Sequence, residues 1–263
     1  MDQALQNILK RDQWIVMGAL VAVSAVAWLW LLTGAGMDMN AFEMTRHSRM
    51  DMGFMQPSPW TAAYAVLMFF MWWIMMIAMM LPSATPIVLL AAGVNRRTRS
   101  GSPPYGSTLS FTAGYLSAWA GFSAVAVAIQ WWFERSGWLN AMLVSTSDLL
   151  AGVILILTGA WQFSPWKRAC LRHCQNPVEF LSTHYRRGNI GAWFMGAHHG
   201  LYCLGCCWFL MALLFVGGVM NLYWIIGLTL YVFIEKVLAA GPMLSRLTGV
   251  LLIGWGLSIL ISA

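Results

Sequence analysis

The chain has 263 residues, of which 60% are hydrophobic and only 9% charged, and its formal net charge is +6. A water-soluble domain carries roughly 25% charged residues, so the composition excludes a soluble globular protein and indicates an integral membrane domain covering 1–263. The basic excess then serves membrane topology and contact with anionic lipid, and makes no case for nucleic acid.

Seven apolar segments follow one another, at 14–33, 60–81, 107–133, 148–163, 193–218, 221–240 and 246–262. A membrane helix needs about 20 apolar residues. The expectation is therefore an all-α, polytopic bundle of about seven transmembrane helices in the lipid bilayer. The first apolar run exceeds the 7–15 residues of a cleaved signal core, and reads as a span. With the N-terminus inside, Lys10, Arg11, Arg96, Arg97, Arg99, Lys167, Arg168, Arg172, Arg186, Arg187, Lys236 and Arg246 are cytoplasmic, while Arg46, Arg49 and Arg135 are outside. That split follows the positive-inside rule and predicts a multi-pass protein of the bacterial inner membrane, N-terminus inside and C-terminus outside. Trp60, Trp131, Trp132, Trp138, Trp193 and Trp224 fall near span ends, where an aromatic belt sits.

The outer loop, 34–59, carries Met37, Met39, Met44, Met50, Met52 and Met55 beside Asp38, His47 and Asp51. Thioethers in a polar segment have no core to fill. They resemble the methionine-rich arms that gather copper outside bacterial membranes; the alternative is a lid packed on the membrane surface. The second span adds Met68, Met71, Met75, Met76, Met79 and Met80. Residues three and four apart share a helix face, so Met68, Met75 and Met79 align, as do Trp72, Met76 and Met80. Such methionines are core filler or soft metal ligands. The apolar run continues past Pro82 and Pro86 to Val94, which as one helix from Trp60 is about 50 Å long. A hydrocarbon core is about 30 Å thick and proline removes a helical bond. A break is expected near Pro82, with Ser83 or Thr85 supporting freed carbonyls.

The inner loop, 164–192, holds Cys170 and Cys174 at i, i+4 with His173 between them, in a short helix ending near Pro177. A cytoplasmic pair is not expected to form a stable disulfide. It can bind metal, or pass it to the membrane cysteines; the alternative is amphipathic packing. The fifth span contains "HHGLYCLGCCWFL", from His198 to Leu210. Met195, His199, Cys203 and Cys206 or Cys207 fall on one helical stripe. Thiolate and thioether donors favour Cu(I), and imidazole also suits zinc and Cu(II). The alternative is a packing seam, in which cysteine acts as a small hydrophobe and Gly196, Gly200 and Gly205 allow close helix approach. Asp148 reads as a helix N-cap. Glu235 and Lys236 read as partners of the metal ligands or as interface anchors, Lys236 snorkelling to the surface.

"MMIAMMLP", "CLRHC", "GLYCLGCCWFLM" followed by "GGVMN", and then "EK" together resemble the bacterial family of predicted metal-binding integral membrane proteins of unknown function. The resemblance runs from about residue 60 to the C-terminus. It implies metal binding through Cys170, Cys174, Cys203, Cys206 and the Met79–Met80 pair, and implies no reaction.

These observations lead to a membrane protein that binds a soft metal, with Cu(I) first and zinc or haem as alternatives. It transports copper or supplies it to a membrane copper enzyme. The expected ligands are Met37, Met39, Met50 and Met52 outside; Met76, Met79 and Met80 in the second span; and His199, Cys203, Cys206, Cys207, Cys170 and Cys174 toward the inside. No GxxxxGK[ST] loop occurs, so movement is passive or coupled to another gradient. Two other classes fit: a membrane redox or haem–copper enzyme using His198, His199 and the cysteines, and a structural subunit of a larger membrane complex.

Overall fold

The computed structural model describes residues 3–37, 39–47, 59–98, 105–140, 143–238 and 241–262. They form α1 (Gln3–Leu32), α2 (Ala41–His47), α3 (Ala62–Thr98), α4 (Tyr105–Arg135), α5 (Asp148–Gln162), α6 (Pro165–Gln175), α7 (Pro177–His184), α8 (Gly188–Ala212), α9 (Leu214–Gly217), α10 (Leu222–Val237) and α11 (Gly241–Ser262). The fold is all-helical, as expected.

Of the seven expected spans, five to six are matched. Among the described residues five helices are long and apolar enough to cross a membrane, and a bent pair makes a sixth. The expected first, second, third, fifth and seventh segments are those five. The fourth is α5, with 15 residues, which turns by 64° into α6. The sixth is α10, with 16 residues, or about 24 Å of helix, short of a full crossing. Hydropathy finds apolar residues but does not see where a helix bends. The bend has a local cause: Ser164 caps α6 by accepting from the Trp166 amide, and Pro165 opens the new helix, where its missing N–H costs nothing. At α5 the capping residue is Ser147, accepting from the Leu150 amide at 3.3 Å. Asp148, expected as the cap, is the first helical residue.

α3 runs unbroken through Pro82 and Pro86, so the expected interruption at Pro82 is absent. Ser83 and Thr85 do donate to backbone carbonyls, those of Met80 at 2.9 Å and Leu81 at 3.2 Å. Tyr115 of α4 adds a second donor to the Met80 carbonyl at 3.4 Å. The prolines are accommodated because hydroxyls and a neighbouring helix support this stretch of backbone.

α3 is the central element. Met68, Met71, Met75, Met76, Met79 and Met80 are all buried in the core with Trp72. α4 and α8 form the tightest seam. A β-carbon on Gly114 would strike the Trp193 carbonyl, and one on Gly196 would strike the Phe111 carbonyl. Small residues let these backbones touch, as the packing reading of α8 expects. Gly152 against Gly256, and Gly159 against Gly249, repeat the device between α5 and α11.

The described part of the outer loop is packed rather than free. Asn40 and Glu43 cap α2 reciprocally, side chain to amide, at 2.9 and 3.1 Å, as in a capping box. The Thr45 hydroxyl accepts from the Leu222 amide at 2.9 Å. Met44 is buried, and Met37 and Met39 are half-buried against the core. These thioethers do have a core to fill, which corrects the expectation of a loop without one. Met50 and Met52 lie outside the described residues.

Candidate metal centre

Four helices meet at the middle of α8. Helical periodicity places His199, Cys203, Cys206 and Cys207 on its buried face. The Cys206 and Cys207 thiols donate back to the Cys203 carbonyl at 3.0 and 2.9 Å, which keeps all three sulfurs within one turn. From α6, Cys174 lines the same cavity as Cys203. Cys170, one turn earlier, packs on Gly205, where a β-carbon would lie 2.6 Å from its sulfur. All five cysteines are reduced.

From α4, the Tyr115 hydroxyl lies 3.1 Å from the Cys203 sulfur. From α10, the Lys236 ammonium donates to the Cys203 sulfur at 2.9 Å and to the Ser83 hydroxyl at 3.3 Å, and lies 3.9 Å from the Met80 thioether. Lys236 is buried and does not snorkel. Among the described residues the side-chain ion pairs are Arg96–Asp12 and Lys167–Glu235, so Lys236 has no carboxylate. A buried ammonium requires an anion or strong acceptors, and here the Cys203 sulfur is the group able to become one.

These residues line a cavity of about 220 Å³, bounded by Ser83, Tyr115, Cys174, His199, Cys203 and Lys236, among others. Small-molecule pockets run from about 300 Å³ upward, so the space suits an ion rather than a haem macrocycle. His199 is 3% exposed and its Nδ1 has no hydrogen-bond partner. Its ring is held between Phe180 at 5.1 Å and Tyr115 at 6.0 Å. An unsatisfied buried imidazole nitrogen in a cavity lined by two thiols is a donor set suited to a soft ion. Among the described residues no three His, Cys, Asp or Glu side chains are posed as a finished ligand cage. The Cys203 sulfur is instead bonded to Tyr115 and Lys236, and the Cys206 and Cys207 thiols to the Cys203 carbonyl.

Beside the thiols lies a second buried network. Glu235 Oε1 accepts from Lys167 at 2.6 Å, Tyr231 at 3.1 Å and Ser245 at 2.5 Å, and Lys167 also donates to Gln162. Gln175, next to Cys174, donates to the Glu235 and Leu238 carbonyls at 2.9 and 3.3 Å. α6 is thus clamped to α10 at Lys167 and at Gln175, and the clamp sets Cys174 against Cys203.

The expected ligands are partly gathered. Cys174, His199, Cys203, Cys206, Cys207 and Met80 meet, with Cys170 at the edge. Met76 and Met79 remain in the surrounding core, and Met195 leaves the stripe, its sulfur accepting from the Arg186 amide at 3.1 Å. Met37 and Met39 are at the other end of the molecule. Thr45 bonds α10 at Leu222, and Lys236 is fourteen residues further on, or about 21 Å along the helix. Tyr115, Ser83, Gln175 and Lys167 carry no local signal in the sequence. Lys167 reads there as one more cytoplasmic charge, yet it is fully buried.

The family described as PpoB2, copper chaperone, matches residues 69–259. No curated protein and no solved structure matches the chain. The match covers most of the chain and all the residues of the thiol cavity, and the chain belongs to this copper-chaperone family.

Proposed function

We propose that this member of the copper-chaperone family is a multi-pass inner-membrane carrier that holds Cu(I) at Cys174, Cys203 and Cys206 and releases it to a copper protein. The observation that carries the reading is a cavity lined by the thiols of Cys174 on α6 and Cys203 on α8 together with His199, whose buried Nδ1 has no hydrogen-bond partner, with the Cys206 and Cys207 thiols held on the Cys203 carbonyl one turn away. Soft donors in a dry site select Cu(I), and zinc is the alternative that imidazole and thiolate donors also accept.

Lys236 gives the site a way to load and unload. Its ammonium lies among sulfur and hydroxyl acceptors. An arriving Cu(I) carries the same single positive charge and takes over the Cys203 sulfur while Lys236 gives up one proton to solvent, and release reverses both steps. The local charge is then balanced before and after transfer, which matters where water cannot screen it. Cys207 and Cys170 lie beside the first three thiols and serve as further donors during hand-off. The methionines of the outer loop, Met37, Met39, Met50 and Met52, collect the ion, and Met76, Met79 and Met80 form the thioether route along α3. The basic split along the chain supports the N-in orientation, with thiols toward the cytoplasmic half.

Elemental analysis of detergent-purified, reduced protein tests this. The parent chain is expected to retain copper, and Cys203→Ser with Cys206→Ser to lose it while the protein still inserts and elutes as a folded species. Cys174→Ser is expected to weaken retention. A reduced, well-folded parent that takes up no Cu(I), or a double variant that keeps it, overturns the proposal.

A further inference from the structure

Four of the five histidines gather where α6, α7 and α8 meet. His199 faces the thiol cavity. The other three lie on the far side of Phe180 and Tyr202. His184 and His198 have ring centres 4.7 Å apart, and His173 and His184 are 6.4 Å apart. His173 and His198 both pack on the Tyr202 ring, at 4.2 and 4.8 Å. Two neighbouring pairs are divided between the two groups: His173 beside Cys174 on α6, and His198 beside His199 on α8. Each helix therefore sends one donor to the thiols and one to the imidazoles.

We propose that His173, His184 and His198 form a second, nitrogen-donor metal site for a borderline divalent transition ion such as Zn(II) or Cu(II). Two imidazoles sharing a tetrahedral ion have ring centres about 5 Å apart, given metal–nitrogen bonds of about 2 Å. The His184–His198 separation of 4.7 Å already meets this, and His173 stands 6.4 Å from His184. The rings now pack edge-on, and among the described residues they are not posed as a ligand group. His184 carries the usual supporting bond of a metal-binding imidazole. Its Nδ1 faces the Phe180 carbonyl at 3.2 Å and the Thr183 hydroxyl at 2.8 Å. With the proton on Nδ1, Nε2 presents a lone pair. The rings of His173 and His198 have no hydrogen-bond partner among the described residues. All three are half-buried, so solvent ions reach them. The nearby cation, Arg186, is drawn over the Phe194 ring at 5.8 Å.

The site is distinct from the thiol cavity, and the test separates the two. The parent chain is first treated with Ag(I) to fill soft sulfur donors and then titrated with Co(II), whose visible spectrum reports its ligands. The expected result is one Co(II) per chain with ligand-field bands and no sulfur-to-cobalt charge transfer. That binding is expected to disappear in His184→Gln with His198→Gln and to weaken in His173→Gln. X-ray absorption of the Co(II)-loaded parent reads imidazole scattering directly, without any variant. Absence of Co(II) binding by the folded parent overturns the site, as does binding unchanged by the paired substitution or dominated by sulfur bands. Failure of Ag(I) to bind counts against the thiol carrier alone.

Discussion

Glu235 and Lys236 are neighbours on α10, both buried, yet they belong to different kinds of site. Glu235 is met by a lysine, a tyrosine and a serine, each donating to Oε1. Lys236 is met by a thiol, a thioether and a hydroxyl, with no carboxylate. The first charge is paired and fixed, whereas two of the second's partners are sulfurs, donors that also suit a soft metal ion. Adjacent residues point about 100° apart on a helix of 3.6 residues per turn. One turn of α10 can therefore present a structural clamp on one side and a cation set among sulfur and hydroxyl acceptors on the other. Burial and charge alone do not separate the two roles; the identity of the counter-group does.

The largest expected effect breaks the clamp. Glu235→Gln leaves Lys167 buried without its anion, and removing one partner of a buried pair costs about 3–5 kcal/mol. Thermal unfolding in detergent is expected to drop accordingly, and α6 to loosen, so that Cys174 becomes reactive to a thiol probe. The double replacement Lys167→Met with Glu235→Leu removes both charges and is expected to recover much of that loss. A single variant as stable as the parent would erase the difference between the two neighbours.

Lys236→Met tests the other side. The replacement is apolar and of similar length, and a volume-conserving change in a packed site costs under about 1.5 kcal/mol. Stability is expected to fall far less than in Glu235→Gln. The readout that should move is copper release. Without a cation to retake the Cys203 sulfur, transfer to an external Cu(I) chelator is expected to slow on the order of tenfold, equivalent to about 1.4 kcal/mol. Lys236→Arg, too long for the cavity and still charged, is expected to lower loading instead. Release at the parent rate in Lys236→Met would make the lysine a packing element.

Much of this was legible in the sequence, and the exceptions have physical causes. Hydropathy placed the five long helices, and a period of 3.6 put His199, Cys203 and Cys206 on one face. The i, i+4 spacing of Cys170 and Cys174 marked a helix that does end at Gln175. What escaped depends on contacts between distant segments. Nothing near Tyr115 or Ser83 announces a thiol or an ammonium, because their partners lie on α8 and α10. Lys167 sits among arginines that flank the membrane, and only the fold reveals that it turns inward to Glu235. His184 carries no spacing motif; α7 brings it to His198. The stripe on α8 also proved to be two things together. Gly196 and Gly200 form the seam with α4, Gly205 receives Cys170 of α6, and Cys203 lines the cavity.

The smallest effect concerns the end of α10 opposite Lys236. Met37 and Met39 are half-buried against the core near α2, which is anchored to α10 by Thr45. Leucine keeps their apolar volume, so Met37→Leu with Met39→Leu is expected to change stability by less than about 1.5 kcal/mol. Leucine has no sulfur. If these thioethers collect copper, uptake at low external copper weakens while uptake at saturating copper does not, because only the capture step has lost its donors. If they merely hold the lid on the core, uptake is the same at every concentration. The comparison with Lys236 is then sharper. Both ends of α10 present sulfur, but only the thiol end has a charge that a metal must displace. The outer variant should therefore change how fast copper is captured and leave its release to the chelator untouched. A change in release from Met37→Leu with Met39→Leu would mean that the two ends are coupled along the buried methionines of α3.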